Sequence, residues 1–138
     1  MNIANNQTIT SKLGVLYSDF TDNFFKAPFS NDLAKVTNEN SVKQSIRNIA
    51  RTILGERLYD ETIGQSGNYG LFGLSDTLTE SVVKQTLMDA LKHNEPRAAI
   101  LGITVDSQSI PNALSVVIYF SIQNAPNLSV TVILTRVR

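Results

Sequence analysis

The sequence predicts an α+β fold: two helices packed on a three- or four-stranded antiparallel sheet, with a meander at the C-terminal end. Three observations carry this. Residues 41–54 and 78–94 place apolar side chains at helical spacing. Residues 98–105, 113–123 and 128–137 alternate apolar with polar side chains, the period of a half-buried strand. The three strands follow one another through turn-rich links, so neighbours pair and one face is left for the helices.

The whole chain agrees. Its 138 residues fit one domain, and a chain of this size buries about two-thirds of its unfolded surface. It is 42% hydrophobic and 17% charged, with 12 basic and 12 acidic residues. Zero net charge argues against nucleic acid as a partner, since nonspecific binding needs a positive field. It also weakens the repulsion that keeps small proteins apart, so association with other proteins is expected. There is no cysteine, which excludes disulfides and thiolate-held zinc. No apolar run approaches the ~20 residues of a membrane span. The opening "MNIANNQTIT" lacks a basic region followed by an apolar stretch, so an intracellular product without its own export signal is expected.

Residues 1–40 read as an N-terminal extended arm and 41–138 as a single α+β domain. Residues 1–13 are polar and expected to fray. Residues 14–37 carry Leu16, Tyr17, Phe20, Phe24, Phe25 and Phe29 without a helical period, and Pro28 interrupts any long element. These rings are expected to dock on the domain itself, with part of the arm free to wrap a neighbour.

In the first helix, Ser41 and Gln44 have the spacing of a capping box. Val42, Ile46, Ile49, Ala50 and Ile53 form its apolar face, and Gly55 supplies a stop. Lys43, Arg47 and Arg51 make a basic stripe beside that face. The stripe is either a solvated surface or a contact to an acidic partner. The glycine-rich stretch 55–76 is a loop with a short strand near 69–72. Its Gly67, Gly70 and Gly73 are not a phosphate-binding loop, because no Lys-Ser/Thr pair follows.

Thr77 and Glu80 offer a capping box to the second helix, and Glu80 with Lys84 a favourable pair one turn apart. Val82, Val83, Leu87, Ala90 and Leu91 line its apolar side. Pro96 disfavours helical geometry at Glu95 and ends it. In the strands, Ala99, Leu101, Ile103 and Val105 share a face, as do Leu114, Val116, Ile118, Phe120 and Ile122, and then Leu128, Val130, Val132 and Leu134.

The last strand, about ten residues or roughly 33 Å, holds no charge before Arg136. At a sheet edge such a strand invites pairing that proteins normally blunt with Lys, Pro or a bulge. Either the N-terminal arm or a strand from another chain is expected to cover it.

Catalytic signals are weak. His93 is the only histidine, and no nucleophile motif such as G-x-S-x-G accompanies it. Glu56, Asp60 and Glu61 cluster in the loop and are the best carboxylates for a glycosidase, but nothing supplies the apolar pocket that raises one pKa. No catalytic residue, metal site, cofactor or small-molecule substrate is therefore expected.

Several stretches together resemble the gene-product-25-like baseplate wedge family of contractile phage tails, related to a type VI secretion baseplate component. They are "LYSDF" (16–20), "SVKQSIRNIARTILGER" (41–57), "LFGL" (71–74), "HNEPRAAILGITV" (93–105) and "LSVVIYFSI" (114–122). Leu58 stands where the family commonly has proline, and the loop 60–70 matches poorly. The resemblance implies a structural role in the virion tail baseplate, assembled in the host cytoplasm. Its partners would be other wedge proteins and tail sheath subunits. It implies that Glu95, Pro96 and Arg97 contact the wedge core bundle. It also implies that the last strand, through Val130, Val132, Leu134 and Arg136, offers an edge on which sheath assembly begins. Some members carry a lysozyme label, so a peptidoglycan-degrading glycosidase is the alternative.

The triplet has a physical reading too. Pro96 fixes its own φ and restrains Glu95, so the corner is stiff. Arg97 brings a fork of donors that fits a partner's carboxylate or helix-end carbonyls. Equally, Glu95 and Arg97 can form an internal corner salt bridge. On the contact reading, Arg97→Ala weakens partner binding and leaves the fold largely intact.

Overall fold

The computed structural model describes residues 14–66, 77–110, 113–123 and 125–135. Within them the order is β1 (Ser18–Phe20), β2 (Lys35–Thr37), α1 (Glu39–Arg51), α2 (Thr77–Asn94), β3 (Ala98–Asp106), β4 (Ala113–Ile122) and β5 (Leu128–Thr135). β3, β4 and β5 form an antiparallel meander in that order, and β1 and β2 pair antiparallel as a separate ribbon. The α+β arrangement is as the patterning predicts. The expected strand at 69–72 and the glycines at 67, 70 and 73 lie outside the described residues, as does Arg136.

One face of the meander carries the core. Leu114, Val116, Ile118, Phe120 and Ile122 of β4 and Val130, Val132 and Leu134 of β5 are all buried, as their alternation requires. Helix α1 adds Val42, Ile46, Ile49 and Ala50, and α2 adds Val83, Leu87 and Leu91, each set one helical turn apart. α2 packs on β3, while α1 packs on β5 and on α2.

β3 departs from the expected face. Its register with β4 slips between Ile100 and Gly102, so Leu101 is an extra residue in a β-bulge. One added residue reverses which side chains face inward. Before the bulge Ala98 is buried and Ala99 exposed; after it Ile103 is buried. Leu101, predicted to share the core face, is 55% exposed.

The helix starts also differ. α1 begins at Glu39 because Asn38, with φ 48°, turns the chain there. Ser41 is therefore inside the first turn rather than its cap. It is buried, and its hydroxyl finds no hydrogen-bond partner among the described residues. Gln44 donates to the Phe20 carbonyl at 2.6 Å. The helix stops at Arg51, ahead of Gly55, which sits at φ 83° in a turn closed by Glu56 N–H donating to Ile53 O at 3.0 Å. Gly64 is needed for close approach: a Cβ there would lie 2.6 Å from the Thr52 carbonyl oxygen, beside the parallel bridge of Ile53 with Gln65.

In α2, Val82 is half exposed, because it lies off the Val83–Leu87–Leu91 line. Glu80 does not pair with Lys84. Its carboxylate accepts from the Ser107 hydroxyl at 2.6 Å, tying the start of α2 to the end of β3.

Residues 14–37 are a ribbon rather than a packed arm. Asn38 accepts from the N–H of Leu16 at 2.8 Å, and Asn38 N–H donates to Tyr17 O at 2.8 Å. Tyr17 packs against the core. Phe20, Phe24, Phe25 and Phe29 do not dock on the domain; all four are exposed.

Candidate functional site

The corner between α2 and β3 is built by its own sequence. Glu95 N–H closes the last helical turn onto Leu91 O at 2.9 Å, and Ala98 N–H closes a β-turn onto Glu95 O at 3.2 Å. Pro96 occupies the second position of that turn, where its fixed φ fits. Glu95 is 1% exposed. Arg97 meets it with both arms of the fork: Nε donates to Oε1 and Nη2 to Oε2, each at 2.6 Å. The Arg97 side chain is 34% exposed. The Tyr17 ring lies 5.5 Å from its guanidinium carbon, within cation–π range.

The electrostatics follow from this geometry. Burial pushes the Glu95 carboxyl up, but hydrogen bonds from Arg97 and from Ser45 of α1 outweigh it, and the pKa is lowered from 4.5. The Glu95 hydrogen bonds hold the Arg97 guanidinium more firmly protonated, against the cost of its burial. The internal corner salt bridge is thus present. It uses two of the five guanidinium donors. What faces outward is the exposed Pro96 ring and one side of a half-buried cation.

The basic stripe is elsewhere. Lys43 and Arg47 are half-buried and Arg51 is exposed. None of the three joins an ion pair among the described residues. Ser45, which reaches Glu95, is two residues from both Lys43 and Arg47, and so nearly opposite them around the helix. The structure therefore does not bring the stripe and the corner together.

The outer edge of β5 is a third surface. Val130, Val132 and Leu134 send their side chains into the core, so only their backbone is available to a partner. Ser129, Thr131, Ile133 and Thr135 are the exposed set. Among the described residues no strand pairs with this edge, and its register with β4 runs unbroken from Leu128 to Thr135. Alternate backbone N–H and C=O groups along it face away from β4.

Glu56, Asp60 and Glu61 are exposed. Glu56 accepts from Ile53 N–H at 3.0 Å. Asp60 has its pKa lowered, chiefly by the Thr62 hydroxyl, which is the opposite of what a general acid requires. His93 is exposed at the end of α2. Among the described residues there is no cluster of three or more His, Asp or Glu that could hold a metal ion.

Sequence reasoning did not find Tyr17 or Ser45, which complete the corner. Ser45 is one turn from Ser41 on the side facing α2, a small polar pair in an otherwise apolar sector; that was the available signal.

No family model matches the chain. The chain is similar to the baseplate wedge protein gp25 of Enterobacteria phage T4, with 28% identity over 117 residues, 85% of this chain and 88% of that protein. Its fold matches a chain in the cryo-EM structure of the anti-feeding prophage baseplate, with a TM-score of 0.67 and 19% identity over 79% of this chain and 87% of that one. It also matches a crystal structure described as a candidate tail lysozyme from Geobacter sulfurreducens, with a TM-score of 0.64 and 22% identity over 71% of this chain and 91% of that one. At such identities the two structural matches speak to the fold alone. The similarity to a baseplate wedge protein agrees with the resemblance read from the sequence and supports a structural role in a contractile-tail baseplate.

Proposed function

We propose that this chain is a structural part of a baseplate wedge that binds the wedge core at the Glu95–Arg97 corner and offers the β5 edge to the first sheath subunits. The observation that carries this is the β5 edge: eight residues in unbroken register, without charge, and unpaired among the described residues. Such an edge gains backbone hydrogen bonds when a strand is added to it. The corner supplies a stiff, charge-balanced projection whose remaining guanidinium donors suit a carboxylate or the carbonyls at a helix end. The basic stripe on α1 suits an acidic neighbour. The chain would then reside in the virion tail baseplate, with wedge and sheath proteins as its partners.

The test is to mix the purified chain with the wedge core proteins and follow elution, then add sheath subunits. A stable complex that nucleates sheath is expected. Failure to co-elute, or sheath that polymerises equally well without the chain, counts against the proposal. A turbidity assay on peptidoglycan addresses the glycosidase alternative suggested by the lysozyme-named neighbour. No clearing is expected, because the loop carboxylates are solvated.

A further inference from the structure

The corner and the β5 edge leave one markedly exposed apolar region among the described residues unexplained. Within residues 20–33, Phe24 is 67% exposed and Phe29 fully so, with Phe20, Phe25 and Leu33 also open. Scattered single exposures are ordinary, but a run of rings on one short ribbon marks an interaction surface.

The ribbon is held in this state. Ala34 bonds two rungs of the facing strand, accepting from Thr21 N–H at 3.1 Å and donating to Phe25 O at 2.9 Å. Residues 22–24 are thereby looped out between the rungs. A turn bond from Phe24 N–H to Thr21 O at 3.0 Å closes that loop, with Phe24 at φ 48°. A β-unbranched aromatic in this region is uncommon and strained. Two side chains of α1 clamp the assembly: Gln44 on the Phe20 carbonyl, and Asn48 on the Asp22 carboxylate at 3.0 Å.

The clamp sets the ribbon on the side of α1 that carries Gln44 and Asn48. Arg47 is three residues past Gln44 and Arg51 three past Asn48, the spacing of neighbours on a helix surface, so the basic stripe flanks the clamp. The ribbon's own carboxylates are occupied: Asp19 by Phe20 N–H, Asp22 by Asn48, and Asp32 by Lys35. Lys26, Lys43, Arg47 and Arg51 join no ion pair among the described residues. The surface is therefore aromatic, with a rim of cations that no carboxylate of the described residues pairs with directly.

We infer that the ribbon at 20–33 and the Lys43–Arg47–Arg51 stripe form one docking surface for a protein segment that presents aliphatic side chains flanked by carboxylates. This goes beyond the corner and the edge, and stands whether or not they act as proposed. Aliphatic groups fill the spaces between rings, and carboxylates meet the arginines at the rim, where they set preference more than affinity.

The test uses the full chain and two labelled amphipathic peptides, each with a leucine face, one flanked by glutamates and one by lysines. Fluorescence anisotropy should show the glutamate peptide binding about tenfold or more tightly than the lysine peptide, with the difference shrinking as salt is raised. Phe24→Ser/Phe25→Ser should abolish binding of both peptides. Lys43→Glu/Arg47→Glu should reverse the preference. Phe24 and Phe25 are exposed and Lys43 and Arg47 half-buried outside the core, so circular dichroism should show every variant still folded. Equal binding of both peptides, no binding of the glutamate peptide, or binding that survives the phenylalanine substitutions overturns the inference. So does self-association abolished by Phe24→Ser/Phe25→Ser, which assigns the surface to a second copy, or capture by anionic phosphatidylserine vesicles in place of the peptide.

Discussion

The α2–β3 corner and the outer edge of β5 make opposite use of polar groups. At the corner, the buried carboxylate takes a two-armed contact from Arg97 and a further hydrogen bond from Ser45. At the edge, alternate backbone groups have no partner among the described residues. Spent groups hold a fold together; unspent groups bind. The same kind of substitution should therefore register as lost stability at the corner and as lost assembly at the edge.

The largest effect should come from Arg97→Ala. It leaves the Glu95 carboxylate buried without its main partner, so urea unfolding should report a loss of about 2–3 kcal/mol, discounted from the buried-pair range because Arg97 is partly exposed. With the pair formed inside the corner, a larger loss is expected than on the contact reading, where the fold stays largely intact. Glu95→Met/Arg97→Leu removes both charges and should be clearly more stable than Arg97→Ala alone. If the two losses simply add, the corner is not a coupled pair.

Next in size is a pH effect. The folded Glu95 pKa is lowered from 4.5. The unfolded chain therefore takes up its proton first as pH falls, and the native state is penalised. The stabilisation from this group is full above 4.5 and is lost as pH drops through the folded pKa. Urea midpoints of the parent should fall below about pH 4.5 by more than those of Glu95→Met/Arg97→Leu. Parallel curves would mean that Glu95 gains nothing from its partners.

A smaller change of opposite sign tests a buried polar group in the first turn of α1. Ser41 buries a hydroxyl without a partner. Ser41→Ala should stabilise the chain by up to about 1 kcal/mol in the same assay.

The smallest stability change belongs to the edge. Thr131→Lys/Ile133→Lys places charge on exposed positions of β5 and should shift stability by no more than about 0.5 kcal/mol. The same variant should stop a strand from adding to the edge and so abolish sheath nucleation. A variant that unfolds, or that nucleates normally, erases the contrast between the two regions.

Much of this was legible in the sequence. β4 and β5 alternate strictly, and each predicted inward residue from Leu114 to Leu134 in those strands is inside or half-inside. The Glu-Pro-Arg corner could be read as stiff because proline acts locally. The failures are nonlocal. One added residue at Leu101 reverses half of β3, and no period within a nine-residue strand announces a bulge. Asn38 rather than Ser41 opens α1, because the Asn38 side chain is committed to the ribbon at Leu16 and Tyr17. Glu80 prefers Ser107, 27 residues away, to Lys84 on its own helix. Burial could not be read from the rings at 20–29 either: hydrophobicity says that a phenylalanine favours contact, not whose.

The bulge at Leu101 also gives the sheet a handed pair of rims. Along β5 the register with β4 is unbroken, whereas in β3 the extra residue bends the strand and disturbs the ladder locally. The two rims of the sheet are therefore unlike: a strand added at β5 would meet an even row of backbone groups, and one added at β3 would have to accommodate the extra residue.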